Sequence, residues 1–257
     1  MDVIIFSGQS NMQGQTEGLP CNNEPVEGAL EYRRVGDTVI PLCHPVGEEL
    51  GGLDKHTFGS YQGGGSLIPA FCRAYVKKTG KKVMAIHVAR GSTTIAEWQK
   101  GTQRYYAIAD KIRRGIKKAE ELDGVGKIYF VWLQGESDAI IGTETDKYLQ
   151  FLTQLKNDLK ADFAIDKFGI IKVGYFFCVS SWHAHVSTYE AKRVCDEKIM
   201  TAQELAVEKD SDFVMLTRSC PIYTQDEKYI NPDASGHYNN ATMDLIGEEA
   251  GTALGAL

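Results

Sequence analysis

A serine follows the first apolar stretch of the chain, within Gly8-Gln-Ser-Asn-Met-Gln-Gly14. Residues 3–6 form a short, continuous apolar run, which is typical of a strand buried on both faces. The Ser10 hydroxyl is therefore expected at the carboxyl edge of a sheet, where ligands of open α/β folds bind. A helix beginning after Ser10 would direct unpaired N–H groups toward negative charge, which suits the nucleophile of an acyl transfer. The alternative is a serine that only caps a helix.

Polar groups with complementary chemistry follow two later apolar runs. Gly91 comes shortly after residues 83–88, and a glycine there can offer an unshielded N–H to an oxyanion. Gln134 follows residues 127–133 and can donate through its side-chain amide, while Glu136 can accept a hydrogen bond from an imidazole. A tight turn before a helix explains Gly91 equally well, and this residue alone does not decide between the two interpretations.

A histidine that could activate the serine lies near the end of the chain. His237 stands in the polar stretch Asn231-Pro-Asp-Ala-Ser-Gly-His-Tyr-Asn239, just before a helical pattern. We expect its side chain to be accessible in this loop, as a general base must be. His183 and His185 form another histidine pair, but no third and fourth ligand is evident. Neither a metal nor a cofactor is predicted.

The elements that must position these residues alternate regularly along the chain. Apolar runs predict strands at residues 3–6, 83–88, 127–133, 170–178 and 213–216. Apolar stripes at helical spacing predict helices at residues 104–121, 147–160, 188–208 and 239–254. Strands separated by helices in this rhythm form right-handed βαβ units and a parallel sheet. No linker or repeat divides the 257 residues, so one domain is predicted over 1–257.

An irregular segment rich in Gly, Pro, Asn and Glu occupies about residues 15–65. Within it, residues 30–34 and 38–42 flank Val35-Gly-Asp37 and predict a β-hairpin. Because irregular segments of this length are usually functional, we expect this one to form the wall of a pocket. The glycines at 63–65 predict a tight turn that opens a helix, since no phosphate-loop lysine follows them.

The composition of the chain limits the classes of partner that it could bind. The net charge of −6, with both signs interspersed, provides no cationic surface for nucleic acid. No apolar stretch approaches the roughly 20 residues that a membrane span requires, and no signal-peptide pattern opens the chain. The six cysteines lack a pairing motif, as expected for reduced thiols. The sequence therefore predicts a cytoplasmic protein that binds neither nucleic acid nor membrane, and it makes no prediction of oligomeric state.

Four blocks of this chain resemble, in the same order, the SGNH-hydrolase superfamily. They are Gly8-Gln-Ser-Asn-Met-Gln-Gly14, Ala89-Arg-Gly-Ser-Thr-Thr-Ile95 with Trp98, Trp132-Leu-Gln-Gly-Glu-Ser-Asp138 and His237-Tyr-Asn239. More narrowly, the chain is similar to the carbohydrate acetylesterase branch, which includes acetylxylan esterases and sialate O-acetylesterase-like proteins. The resemblance implies a flavodoxin-like three-layer α/β/α sandwich, the SGNH hydrolase fold, here with a central parallel sheet of about five strands.

The resemblance also implies roles for individual residues. It makes Ser10 the nucleophile and His237 the base, and it implies oxyanion donors from the Ser10 backbone, Gly91 and the Gln134 amide. One departure is that the branch usually has Gly-Gly-Thr where this chain has Gly91-Ser92-Thr93.

A second departure concerns the carboxylate that orients the histidine. The branch usually has Asp three residues before His237, where this chain has Ala234. Glu136 is therefore the preferred third member of the triad, and Asp233 is the second choice. Three further residues are expected to contact substrate: Gln9, Asn11 and Gly64.

The function predicted from the sequence is a serine esterase that removes O-acetyl groups from carbohydrates through an acetyl-enzyme. Its expected substrate is an acetylated sugar, oligosaccharide or sialic acid. Two alternatives stay open: an SGNH esterase that acts on non-carbohydrate acyl esters, and a carbohydrate-binding homologue without activity.

Overall fold

The computed structural model describes residues 1–20, 22–48, 64–175, 186–234 and 236–257. The strands are β1 (Asp2–Gly8), β2 (Ala29–Arg33), β3 (Thr38–Pro41), β4 (Val83–His87), β5 (Ile128–Leu133), β6 (Lys167–Ile171) and β7 (Phe213–Thr217). The α-helices are α1 (Ser10–Gln13), α2 (Ile68–Thr79), α3 (Gln103–Asp123), α4 (Glu136–Ile141), α5 (Thr145–Phe163), α6 (Tyr189–Lys209), α7 (Cys220–Tyr223) and α8 (Asn240–Leu254). Short 3₁₀ turns cover Val35–Asp37, Ile95–Trp98 and Glu227–Tyr229.

The strands form one sheet in the order β3-β2-β4-β1-β5-β6-β7. Among the described strands, only the edge strand β3 is antiparallel to its neighbour. Without β2 and β3, the remaining order β4-β1-β5-β6-β7 is the flavodoxin-like order. Successive connections change direction beside β1, and such a switch point is where ligands bind in open α/β sheets.

The sheet contains seven strands in the described residues, so the expectation of about five is corrected. The two additional strands are those of the predicted hairpin. They belong to the sheet because β2 pairs in parallel with β4, where Ala29 lies beside Val83. Local sequence predicts a hairpin, but it does not reveal a partner more than fifty residues away.

The predicted strand at residues 170–178 is wrong in its bounds. β6 begins at Lys167 and ends at Ile171, and its pairing with β7 becomes irregular between Ile170 and Ile171. Beyond this point the Val173 N–H donates to the side chain of Gln203, 2.9 Å away, instead of to a strand. The chain therefore leaves the sheet here, and residues 176–178 lie outside the described residues.

Alternate side chains of β1 face two different hydrophobic cores. Val3 and Ile5 pack among apolar residues of α3, α5 and α6 on one side of the sheet. Ile4 and Phe6 pack against α2 and α8 on the other side, where the ring of Phe6 meets that of Phe71 edge-to-face at 5.0 Å. Because both faces are covered, a continuous apolar run is required in this strand. The arrangement confirms the predicted α/β fold with helices on both sides of a central sheet.

Capping residues fix where two of the predicted helices begin. The Thr102 hydroxyl accepts from the N–H of Tyr105 at the start of α3, and Asn239 Oδ1 accepts from the N–H of Thr242 at the start of α8. The helices predicted around residues 104–121, 147–160, 188–208 and 239–254 are confirmed, and their bounds differ by up to three residues. The last cap places α8 immediately after the loop that carries His237.

Two further observations concern membrane-spanning helices and cysteines in the described part of the chain. No helix within it is long and apolar enough to span a bilayer. No disulfide joins the described cysteines Cys43, Cys72, Cys195 and Cys220. The histidine pair at residues 183 and 185 lies outside the described residues, as do the cysteines at 21 and 178.

Candidate active site

Three adjacent parallel strands bring three of the sequence blocks together. β1 pairs with β4 on one side and with β5 on the other. The loops that follow these strands carry Gly91, Ser10 and Gln134, in that spatial order. Their proximity follows directly from the strand order, because the carboxyl ends of parallel strands share one edge of the sheet.

Ser10 is held by a very close approach of β1 to β5. A Cβ on Gly8, which has φ +141°, would lie only 1.9 Å from the carbonyl oxygen of Leu133. The N–H of Gln9 donates to that same oxygen at 3.0 Å. Ser10 is then the first residue of α1, so its N–H has no acceptor within the helix. The turn thus supplies both a hydroxyl and a backbone donor at one place.

Ser10 and His237 line the same cavity, which has a volume of about 380 Å³. Both are largely buried, at 5% and 7% exposure, so the cavity is their route to solvent. The remaining described lining residues are Gln9, Gln15, Ser92, Thr94, Ser137, Ile140 and Ile141. The lining combines hydroxyl and amide side chains with two isoleucines, which suits a small acyl group attached to a polar alcohol.

A short antiparallel bridge shapes the loop that carries His237. Ile230 pairs with Tyr238, and the N–H of Asn231 donates to the carbonyl oxygen of His237 at 2.8 Å. Asn231 is buried, and its Nδ2 donates to the carbonyl oxygen of Gln15 at 2.8 Å. Asn231 therefore connects the histidine loop to the segment just after the serine. This role of Asn231 is not predicted from the sequence, although Asn231-Pro-Asp233 is typical of a turn.

Glu136 is buried beside the loops of both candidate catalytic residues. Its Oε1 accepts from Nδ2 of Asn11 at 2.7 Å, and the same nitrogen donates to the carbonyl oxygen of Gly236 at 3.3 Å. Burial is the largest influence on the Glu136 carboxyl and raises its pKa, while the bond from Asn11 opposes this effect. Asn11 thus connects Glu136 to the residue that precedes His237.

Asp233, the second choice for the orienting acid, lies in a different environment. It is exposed and lines a second cavity of about 270 Å³. Its backbone N–H donates to Oδ1 of Asn231 at 2.9 Å. The second cavity shares Gln15 with the first, so the two cavities adjoin. Asp233 is not among the residues that line the Ser10 cavity.

Gly91 lies next to Ser10, but its N–H already has a partner. It donates to Oε1 of Gln13 at 2.7 Å, and a Cβ on Gly91 would lie 3.3 Å from Cβ of Ser10. The next residue, Ser92, has φ +56°, in the left-handed region that favours glycine. The backbone at Ser92 therefore has the conformation that suits glycine, the residue that the Gly-Gly-Thr pattern of the branch has at this position.

Gln134 faces the interior, which differs from the expectation that its amide serves the oxyanion. Its Nε2 lies within hydrogen-bonding distance of three acceptors: Gln9 Oε1 at 3.2 Å, the Thr93 carbonyl at 2.8 Å and Asp138 Oδ2 at 2.6 Å. Gln134 is fully buried and does not line the Ser10 cavity. The side chain instead ties the Gly91 loop to the end of β5.

The three residues expected to contact substrate have different surroundings. Gln9 lines the Ser10 cavity, and its Oε1 faces the N–H groups of Gly135 and Ser137 at 3.3 and 3.1 Å. Gly64 lines the second cavity. Asn11 is buried, its Nδ2 donates to Glu136, and it is not among the residues that line either cavity. Within the described residues, no group of three His, Cys, Asp or Glu side chains is placed to hold a metal.

Comparison of this chain with known proteins shows which family it is similar to. The sequence model of a family described as "SASA: Carbohydrate esterase, sialic acid-specific acetylesterase" matches residues 1–219. This match confirms the resemblance carried by the sequence blocks, although it ends before His237. A comparison with curated protein sequences found no match.

Three solved structures share the fold at low sequence identity. A protein of Arabidopsis thaliana is 17% identical with a TM-score of 0.66, and the alignment covers 98% of this chain and 96% of that one. NanS is 15% identical with a TM-score of 0.65, again over 98% and 96%. A carbohydrate acetylesterase from Xanthomonas citri is 13% identical with a TM-score of 0.56, over 98% of this chain and 55% of that one.

Proposed function

Because this chain belongs to the carbohydrate esterase family described as sialic acid-specific acetylesterase, we propose that it hydrolyses O-acetyl esters of carbohydrates. We further propose that Ser10 is the nucleophile and His237 the general base. The observation that carries the proposal is that these two side chains, 227 positions apart in the chain, line one cavity. That cavity is large enough for an acetyl group and part of a sugar.

In the first half of the reaction, the Ser10 hydroxyl attacks the carbonyl carbon of the acetyl ester. His237 takes the hydroxyl proton, because serine is a weak nucleophile at neutral pH without a neighbouring base. The resulting oxyanion is stabilised by the Ser10 N–H at the start of α1. Collapse of the tetrahedral intermediate breaks the bond to the sugar oxygen, and His237 returns the proton to this leaving alkoxide.

In the second half, water replaces the sugar. His237 removes a proton from water, which attacks the acetyl-enzyme, and the proton then passes to the departing Ser10 oxygen. Acetate and the free enzyme are the products. The isoleucines at 140 and 141 provide an apolar surface beside the reacting groups that suits the acetyl methyl group.

Glu136 is the carboxylate that we propose for orienting His237 and for stabilising its protonated form. Support comes from its burial and from Asn11, which binds both Glu136 and the backbone beside His237. A buried carboxylate near a developing imidazolium gains more from the charge than an exposed one, because solvent screens it less. Asp233 stays the second candidate for this role.

The sugar itself is proposed to occupy the second cavity. This cavity adjoins the first at Gln15 and is lined by hydroxyl, amide, carboxylate and backbone groups of residues 15–18, 64, 231, 233 and 234. Groups of this kind bind the hydroxyls of a carbohydrate, and none of the described lining residues has a large apolar side chain to pack against a long acyl chain. Of the segment that we expect to form a pocket wall, residues 15–18 and 64 line this cavity.

The proposal is tested by measuring acetate released from acetylated monosaccharides, acetylated oligosaccharides and O-acetyl sialic acid. We expect turnover of at least one of them, and a loss of at least about 10³-fold in Ser10→Ala. Ser211→Ala, an exposed serine elsewhere, is the matched control and should retain wild-type activity. Turnover of butyryl but not acetyl esters would instead support the non-carbohydrate esterase. Sugar binding without any turnover would support the inactive homologue.

A further inference from the structure

We propose that the side-chain amide of Gln15 donates a hydrogen bond to the acetyl carbonyl oxygen and stabilises the oxyanion. This inference rests on the proposed esterase function, and it assigns to Gln15 a catalytic role that the sequence analysis gave to Gln134. It arises because an oxyanion in a buried cavity requires more than one donor. The Ser10 N–H supplies one donor, and the two other expected donors are engaged within the protein.

The position of Gln15 relative to Ser10 carries the proposal. A Cβ built on Gly91 would lie 3.0 Å from Nε2 of Gln15 and 3.3 Å from Cβ of Ser10. The amide nitrogen and the nucleophilic residue therefore converge on the same small space beside Gly91. Gln15 and Ser10 also line the same cavity. In this proposal the attacked carbonyl oxygen lies beside Nε2 of Gln15 and away from Oε1 of Gln13, which would also lie 3.0 Å from a Cβ on Gly91.

The other expected donors are less available than Gln15. The Gly91 N–H donates to Oε1 of Gln13, a side chain that is itself only 5% exposed. The amide of Gln134 is fully buried and faces three protein acceptors. Within the described residues, by contrast, the half-buried side chain of Gln15 makes no hydrogen bond. As far as the described residues are concerned, its amide can therefore donate to a ligand.

The backbone of Gln15 is anchored even though its side chain is not. Its carbonyl oxygen accepts from Nδ2 of Asn231, which is buried at the base of the His237 loop. This bond keeps the segment after α1 at a fixed distance from the histidine loop. Because Gln15 borders both cavities, its amide lies where the acetyl group would join the sugar.

The test compares Gln15→Met, which preserves side-chain length but removes the donor, with the wild-type enzyme on its best acetyl ester. We expect kcat to fall by about 10²–10³-fold, while KM changes by less than about threefold, because the donor acts on the transition state. Gln154→Met, at an exposed glutamine on α5, is the matched control and should leave both constants unchanged. Thermal unfolding of each variant verifies that it is folded.

The outcomes separate this inference from the proposed function. A wild-type protein that releases no acetate, with Ser10→Ala indistinguishable from it, contradicts the proposed function itself. An active wild type whose Gln15→Met variant keeps kcat within about threefold, or loses activity only through KM, overturns the role of Gln15 alone. If Gln15→Met does not fold, Gln15→Glu decides, because it keeps the shape and replaces the donor with a negatively charged acceptor. A Gln15→Glu enzyme with wild-type kcat would also overturn the proposal.

Discussion

At the residue scale, burial decides which carboxylate can assist the histidine. Glu136 is almost completely buried, whereas Asp233 is exposed at the rim of the second cavity. Burial raises the pKa of the Glu136 carboxyl, so its charged form gains from any neighbouring positive charge. An imidazolium that forms during catalysis provides such a charge. The two acids are therefore not equivalent, and their surroundings favour Glu136, which is also the first choice from the sequence.

The pair of variants Glu136→Gln and Asp233→Asn tests this assignment. We expect Glu136→Gln to lower kcat by about 10²-fold or more, and Asp233→Asn to leave kcat within a few-fold of wild type. The measurement is steady-state hydrolysis of an acetyl ester between pH 5 and pH 9, with unfolding curves to verify folding. A large loss in Asp233→Asn with an active Glu136→Gln would reverse the two roles.

Some of these residues could be predicted from the sequence and others could not. Ser10 and His237 are predicted because each lies in a sequence block that resembles the SGNH-hydrolase superfamily and at an expected edge of the sheet. The contacts of Gln15 and Asn231 cannot be predicted from the sequence, because they depend on which distant groups each residue faces. The same holds for the surroundings of the Gln134 side chain. Three protein acceptors from separate segments determine where its amide points.

At the element scale, the close approach of β1 and β5 makes Gly8 indispensable. An alanine there would have φ +141° and a Cβ 1.9 Å from the carbonyl oxygen of Leu133. We expect Gly8→Ala to destabilise the protein by more than about 3 kcal/mol, since strain and steric overlap add. Urea unfolding of wild type and variant measures the difference.

Gly80 provides a matched control for the Gly8 prediction. It also has a positive φ, +70°, but a Cβ there would meet nothing within 4 Å. Gly80→Ala should therefore cost only about 1–2 kcal/mol, the strain of the left-handed conformation alone. Equal effects at the two positions would show that the contact with Leu133 does not determine the stability of this turn.

A charge cluster connects α6 to the end of β7 and predicts a pH dependence of stability. Glu204 accepts two hydrogen bonds from Arg218, both at 2.8 Å, and one from Lys172 at 2.9 Å. The hydrogen bond from Arg218 is the largest influence and lowers the pKa of Glu204 from 4.5 to about 2. The contribution to stability is thus present above pH 4.5 and is lost as the pH falls toward 2.

Glu204→Gln tests this cluster. Because the carboxylate is partly exposed, we expect the variant to be less stable at pH 7 by only about 1 kcal/mol, after allowing for screening by solvent. The difference from wild type should shrink between pH 4.5 and pH 2, as followed by denaturant unfolding at each pH. A difference that stays constant down to pH 2 would contradict the assigned pKa shift.

The positions of most strands can be predicted from the sequence, but their pairing and exact ends cannot. Five of the strands were located because fully buried strands are continuous apolar runs, and the hairpin was found from its turn residues. The attachment of β2 to β4 was not predictable, since parallel pairing depends on the whole topology. The sequence extends β6 too far because apolar residues follow it, and Val173 among them is buried although it lies beyond the end of the strand.

At the scale of the whole molecule, the distribution of charge bears on which sugar is accepted. The chain carries a net charge of −6, and the second cavity is lined by the carboxylates of Glu17 and Asp233. Among the described residues that line the two cavities, none is lysine or arginine. A substrate with its own carboxylate would be repelled, whereas a neutral polyol would find hydrogen-bond acceptors.

We therefore expect acetyl esters of neutral sugars to be hydrolysed with a kcat/KM at least about tenfold above that of O-acetyl sialic acid at low salt. Asp233→Asn, or raising the ionic strength, should reduce this ratio, because both weaken the repulsion. Kinetics on both substrates at two salt concentrations provide the measurement. A preference for the sialic acid ester that grows weaker in high salt would contradict the prediction.

The most direct test of the central claim is covalent labelling with a serine-directed fluorophosphonate, followed by mass spectrometry of the peptides. A nucleophile activated by His237 predicts one label per chain, located on Ser10, and labelling at least about 100-fold slower in His237→Ala. No labelling of Ser10, or labelling that is equally fast without the histidine, would contradict the claim that these two residues act together.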